Sequence, residues 1–175
     1  MIYYKKDNII IRSMNKEDSH ILHELRLAHG WFSELSVFNE YFKFQEMGEL
    51  YCFIATINTE IAGYTALKRH AKSGPYKDLG FPELSDFNVF EKYRRQGIGN
   101  QMMDIVENFA SQLNHSITLA VGLHSGYGSA QKLYIKRGYI PDGSGVWYQD
   151  KPLEPYSSCI NNDELVLYLS KELKK

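Results

Sequence analysis

Cysteine is scarce in this chain: its 175 residues include only Cys52, in a predicted strand, and Cys159, in a predicted loop. Two such residues make no disulfide framework of the kind that holds small secreted domains, and they show no metal-ligand spacing. A reducing cytoplasm fits that usage, and no metal is assigned. Long apolar runs are also missing. Nothing approaches the roughly 20 apolar residues needed to cross a bilayer as a helix, and the first residues lack a signal peptide's apolar core. A soluble protein with no membrane partner is the expectation. Charge of one sign is not in excess either, with 20 Lys and Arg against 21 Asp and Glu. The chain therefore has no global positive field to hold nucleic acid through its phosphates. Repeats, linkers and low-complexity tracts are absent, and the length suits a single domain over residues 1–175, able to bury about 70% of the surface its unfolded chain exposes.

What the chain does have is an alternation of strand and helix signals. Ile9-Ile10-Ile11 predict a short strand. Asn15, with Asp18 three residues on, predicts a capped helix to about Leu27 whose buried face is Ile21, Leu22, Leu25 and Ala28. A second helical stretch covers residues 33–46 and ends at Gly48. Residues 50–57 and 60–68 read as two strands of an antiparallel hairpin across Asn58-Thr59. Residues 69–82, with Gly74-Pro75 and Gly80, have no apolar period and read as a loop. A central strand at 84–89, a helix to about Leu113, a strand at 116–121, a short helix around Leu133-Tyr134 and a strand from Tyr139 follow. Turns are predicted at Pro141-Asp142-Gly143-Ser144-Gly145 and at 152–155, and a last strand at 165–169. Such alternation predicts a mixed α/β sheet.

The most informative stretch runs from Asp86 through Phe87-Asn88-Val89-Phe90-Glu91-Lys92-Tyr93-Arg94-Arg95-Gln96 to Gly97-Ile98-Gly99. It is an apolar strand leading into a basic, glycine-spaced turn that opens a helix. Ile98, Met102, Ile105, Val106, Phe109 and Leu113 recur at helical spacing, which places the glycines at that helix's first turn. Free N–H groups, the helix dipole, glycines that admit close approach and two arginines together suit a pyrophosphate. The turn is no Walker A loop, because no Gly-Lys-Ser or Gly-Lys-Thr follows. A dinucleotide fingerprint would need a small residue where Met102 stands, and no chain of βαβ units surrounds it.

Arg-x-x-Gly-x-Gly after a strand resembles the coenzyme A pyrophosphate loop of the GNAT superfamily of N-acetyltransferases. A second block, Ser129-Ala130-Gln131-Lys132-Leu133-Tyr134-Ile135-Lys136-Arg137-Gly138-Tyr139, is similar to that superfamily's second signature, a short helix carrying Leu-Tyr and then a Gly-aromatic step into a strand. The order and separation of the blocks fit, and the resemblance extends over about residues 9–169. It implies a small, bacterial-type single-domain member. Its fold would be a mixed, mostly antiparallel sheet flanked by helices, with a splayed strand pair at the acetyl-CoA site. The implied activity is transfer of the acetyl group of acetyl-CoA to a primary amine. The acceptor would be a polyamine, an amino acid derivative or aminoglycoside, or a peptide amine. A non-catalytic acyl-CoA-binding or sensing module is the alternative of another class. Homodimers are common in the superfamily, so a homodimer is the assembly to look for.

The resemblance also nominates residues. A primary amine with a pKa near 10 is protonated in about 999 of 1000 molecules at neutral pH, so a base is wanted before it can attack. Glu83, eleven residues before Arg94, holds the offset of the catalytic glutamate in histone-type members; Asp86 is the nearby competitor. Residues 83, 85, 87 and 89 share one face of a regular strand and 84, 86 and 88 the other, so only one carboxylate should serve unless a bulge intervenes. An exposed strand-end carboxylate is the alternative reading for each. Tyr134 matches the tyrosine that donates a proton or a hydrogen bond to the departing thiolate; a plain core tyrosine is the alternative. The main chain of Phe87, Asn88 and Val89 would pair with the pantetheine arm, Arg94 and Arg95 with the amides of Arg95, Gln96, Gly97, Ile98, Gly99 and Asn100 would hold the pyrophosphate, and Ser129 and Ala130 open the second cofactor-binding block. The two helices at 15–27 and 33–46 would wall the acceptor site. The chain departs from the pattern at Tyr127, where many members have an asparagine that contacts the pantetheine arm. His20 and His23 read as solvated side chains, and His124 as a turn histidine with no role, reach toward the acceptor being its alternative. Trp31, Phe32, Tyr76, Trp147 and Tyr148 are candidates to rim the acceptor pocket, with core packing as the alternative.

Overall fold

The computed structural model describes residues 1–173, among which are nine strands and four α-helices. They form two compact units, one of residues 1–69 with 85–109, the other of residues 70–84 with the chain from 110 onward.

In the first unit, β1 (Ile2–Lys6), β2 (Ile9–Ser13), β3 (Leu50–Ile57) and β4 (Glu60–Lys68) pair successively and antiparallel. β1 has no counterpart in the sequence reading. It folds back on β2 through a tight turn at Asp7, whose φ of 52° is a conformation Asp tolerates. The β3–β4 hairpin lies where its sequence predicts, turning on Asn58 and Thr59 with φ of 48° and 74°. Along β3, Cys52 and Ile54 join a buried cluster with Leu22 and Phe38, which come from α1 (Asp18–Ala28) and α2 (Leu35–Glu46). Tyr51 and Phe53 point the other way, with ring centroids 4.5 and 5.5 Å from Phe109 of α3 (Ile98–Leu113). The period of two along β3 thus places α1 and α2 on one face and α3 on the other.

α1 is rotated from its predicted register. Leu22 is buried, but Ile21 and Ala28 are exposed, and the buried positions include Asp18 and Ser19. The reason is electrostatic. Arg12 donates to both oxygens of Asp18 at 2.6 and 2.9 Å, and the Asn15 amide donates to Asp18 Oδ2 at 2.6 Å. Asp18, not Asn15, therefore organises this helix start.

The first strand segment of the second unit is the first two residues of β5 (Glu83–Val89), which pair in parallel with β6 (Ser116–Gly122) at Glu83–Thr118 and Leu84–Leu119. The parallel register covers these two positions. β6 pairs antiparallel with β9 (Leu165–Glu172), which pairs antiparallel with β7 (Ile140–Tyr148). β7 is longer than predicted. The Pro-Asp-Gly-Ser-Gly run read as a turn is instead a bulge inside it, where the register shifts between Pro141 and Val146. Glycines at φ of 88° and 83° accommodate the extra residues. Pro152, also read as turn, ends the two-residue β8 (Lys151–Pro152) on the exposed edge. α4 (Gly128–Lys136) precedes β7, and a small core gathers Ala71, Tyr76 and Tyr168.

Candidate active site

The first unit presents the glycine turn. After β5 the chain makes one short 3-10 turn, Glu91–Tyr93, and Arg94 Nε donates to the Val89 carbonyl at 2.8 Å, bracing the turn against the strand end. Arg95 and Gly97 take left-handed conformations with φ of 61° and 82°. The Gln101 amide makes a helical bond to the Gly97 carbonyl at 3.1 Å, so the amides of Ile98, Gly99 and Asn100 lie ahead of it in α3's first turn. Arg94, Arg95, Gln96, Gly97 and Asn100 are exposed. This is a cradle of N–H groups with basic side chains beside it, and it fits an anionic pyrophosphate. The two glycines do different things. Gly97 is required by its own backbone, whereas a Cβ at Gly99 would meet nothing closer than the Phe87 ring at 3.7 Å, an ordinary contact.

β5 beyond Leu84 also belongs to the first unit. Asp86 has φ of 48°, so alternation breaks there and the assignment of residues 83 to 89 to two opposite faces does not hold past it. Its carboxylate gathers side chains from four elements. Asn88 Nδ2 donates to Oδ1 at 2.7 Å, the Tyr64 hydroxyl to Oδ1 at 3.2 Å and the Tyr41 hydroxyl to Oδ2 at 3.3 Å; Arg26 stands 3.6 Å from Oδ1 and donates to Tyr64 at 2.5 Å. Burial pushes the Asp86 carboxyl above its usual range, against the opposing pull of Arg26 and the three donors. Close approach of β4 permits this arrangement. A Cβ at Gly63 would lie 2.6 Å from the Asn88 carbonyl oxygen. Sequence reading passed over Gly63, Tyr41, Tyr64 and Arg26; a glycine inside a strand pattern was the available signal.

The second unit holds Glu83, buried at 6% exposure within the β5–β6 ladder, and Tyr134, also buried, on α4. Burial, and then the neighbouring Tyr127, push the Tyr134 phenol well above its usual value. Ser129 and Ala130 occupy the first turn of α4. The departure at Tyr127 has a packing explanation. Its ring covers Gly122 so closely that a Cβ there would sit 2.3 Å from it, and its hydroxyl donates to Asp163 Oδ1 at 2.9 Å, which His124 also contacts at 2.9 Å. His124 is thus part of a loop clasp that also caps Gly126. Tyr76 and Trp147 pack on Tyr168, and in the first unit Trp31 stacks on Phe90 at 5.6 Å, while Phe32 is 79% exposed.

A family model described as an acetyltransferase (GNAT) domain matches residues 28–149, which include both sequence blocks. The chain belongs to the GNAT acetyltransferase family. It is accordingly an acyltransferase whose cosubstrate is acetyl-CoA. By sequence, no curated protein matches it. Solved structures share the fold at low identity. The acetyltransferase from Salmonella typhimurium that modifies the N-terminal serine of ribosomal protein L7/L12 matches with a TM-score of 0.74 at 10% identity, covering 99% of this chain and 100% of that one. RimL, a ribosomal L7/L12 alpha-N-protein acetyltransferase in complex with coenzyme A, matches with a TM-score of 0.72 at 10% identity over 99% and 98%. A spermidine N-acetyltransferase from Vibrio cholerae matches with a TM-score of 0.66 at 13% identity over 95% and 94%. No helix among the described residues is long and apolar enough to cross a membrane.

Proposed function

We propose that this GNAT protein transfers the acetyl group of acetyl-CoA directly to a primary amine, of a small molecule such as a polyamine, amino acid derivative or aminoglycoside, or of a peptide. The observation that carries this reading is the succession along the first unit's chain of a partly desolvated carboxylate on β5 and an exposed, left-handed glycine turn at the start of α3. The turn's amides, with Arg94 and Arg95, hold the pyrophosphate, and the main chain of Phe87, Asn88 and Val89 holds the pantetheine arm. A carboxylate of β5, Glu83 by its offset from Arg94 or Asp86 by its surroundings, takes the amine's proton. The raised pKa of Tyr134 makes it a hydrogen-bond donor to the departing thiolate and a poor source of a whole proton, since a thiol titrates near 8.5. Direct transfer needs no covalent intermediate, and Cys52 offers none, being buried with its thiol pushed far above its usual value by burial.

Mass spectrometry of acceptor and protein after incubation with acetyl-CoA tests this. One acetyl group on the amine, and none retained by the protein in the absence of acceptor, is expected; a stable acetyl-protein that an amine then discharges would contradict direct transfer.

A further inference from the structure

We propose that Asp86 is the group that accepts the acceptor amine's proton, with Tyr41 and Tyr64 as positioning residues that fix its carboxylate. This rests on the acetyl-transfer reading above and chooses between the two carboxylates of β5.

Two aspartates of the same unit make the contrast. Asp18 is a closed structural ion pair. Its side chain is 4% exposed, and Arg12 binds both of its oxygens at 2.6 and 2.9 Å. Asp86 is held differently. Its side chain is 24% exposed, and its arginine stands off at 3.6 Å because Arg26 spends Nε and a terminal nitrogen on the Phe32 carbonyl, at 3.0 and 2.8 Å, and the other terminal nitrogen on Tyr64. Oδ1 accepts two hydrogen bonds, from Asn88 and Tyr64, while Oδ2 accepts one, from Tyr41, and so keeps a lone pair. The backbone at Asp86 is left-handed in mid-strand, a conformation that aspartate tolerates and that breaks the strand's alternation at this residue. Glu83, by contrast, is 6% exposed in the β5–β6 ladder.

The groups facing Asp86 are Arg26 from α1, Tyr41 from α2, Cys52 from β3, Tyr64 from β4 and Asn88 from β5. Cys52 and both tyrosines stay neutral because burial raises their pKa, so Arg26 is the charge that tunes the carboxylate. In the step assigned here an N–H bond of the ammonium breaks and its proton passes to Asp86 Oδ2. The freed nitrogen lone pair forms a bond to the thioester carbonyl carbon. The C–S bond then breaks with its electron pair on sulfur, the second amine proton goes to that thiolate, and Asp86 returns its proton to water.

Asp86→Asn is the direct test, since asparagine keeps the shape and tolerates the left-handed backbone. We expect kcat to fall by about 100-fold or more, in the range of general-base catalysis, while calorimetry gives an unchanged coenzyme A affinity. Arg26→Gln and Tyr41→Phe supply a second readout. Each removes a group that favours the ionised carboxylate, so each should move the acidic limb of the kcat/KM profile to higher pH, Arg26→Gln further, and move the Asp86 carboxyl titration seen by carbon NMR in the same direction. If Asp86→Asn does not fold, these two profiles decide. A folded, coenzyme A-binding Asp86→Asn protein with more than about a fifth of the wild-type rate overturns the inference, that loss being too small for a missing base. So does an acidic limb unmoved by Arg26→Gln, or loss of activity in Glu83→Gln with Asp86→Asn unaffected; in each case acetyl transfer itself still stands. A wild-type protein that binds coenzyme A but acetylates no amine overturns both.

Discussion

Gly97 shows at the residue scale how backbone conformation and binding are tied together. Its φ of 82° lies where only glycine sits without cost, and it opens α3 with the amides that would receive a pyrophosphate. Among the described residues no atom beyond its chain neighbours lies within 4 Å of where its Cβ would be, so Gly97→Val strains the turn without a clash. A left-handed β-branched residue costs at least about 1–2 kcal/mol, so coenzyme A affinity should weaken by roughly tenfold or more. Calorimetric titration checks this; an unchanged affinity would remove the turn from the binding site. Gly97 was legible because its neighbours in sequence supply the strand, the arginines and the helix. The surroundings of Asp86 were not. Tyr41 and Tyr64 lie 45 and 22 residues away and reach it only through the packing of α2 and β4. The left-handed conformation of Asp86 has no local glycine to announce it.

Among the elements, the β3–β4 hairpin is specified by local signals. Two strands rich in apolar residues, separated by Asn58-Thr59, were enough to place it, and both turn residues adopt positive φ. Asparagine suits this conformation, but a threonine at φ 74° does not. Thr59→Gly should therefore stabilise the protein by about 0.5–1 kcal/mol, the relieved strain exceeding the added chain entropy. The urea midpoint should rise with an unchanged slope; a lower midpoint would mean that the Thr59 side chain makes a compensating contact. The same reliance on local signals explains the elements that were missed. Ile2-Tyr3-Tyr4-Lys5-Lys6 has no clean alternation, so β1 was passed over. Gly143 and Gly145 read as a turn because a bulge and a turn draw on the same residues. The rotation of α1 was hidden for another reason: a buried aspartate is paired with an arginine in a different element.

Over the whole molecule, both motif blocks lie within the stretch matched by the GNAT model, one in each compact unit. The glycine turn and Asp86 belong to the first unit, and Glu83 and Tyr134 to the second, with β5 shared out between them at Leu84 and Ser85. Fold and cosubstrate were legible because they depend on turn chemistry and order along the chain. The surroundings of Asp86 were not, since side chains such as Arg26 and Tyr41 come together around it only in the folded chain. Thiol release from acetyl-CoA, followed with a chromogenic reagent across polyamines, amino acids, aminoglycosides and peptides, is the decisive test of acetyl transfer to an amine. Release that depends on an amine acceptor and collapses in Asp86→Asn is the predicted result. Silence across the whole panel from a protein that binds coenzyme A would contradict it.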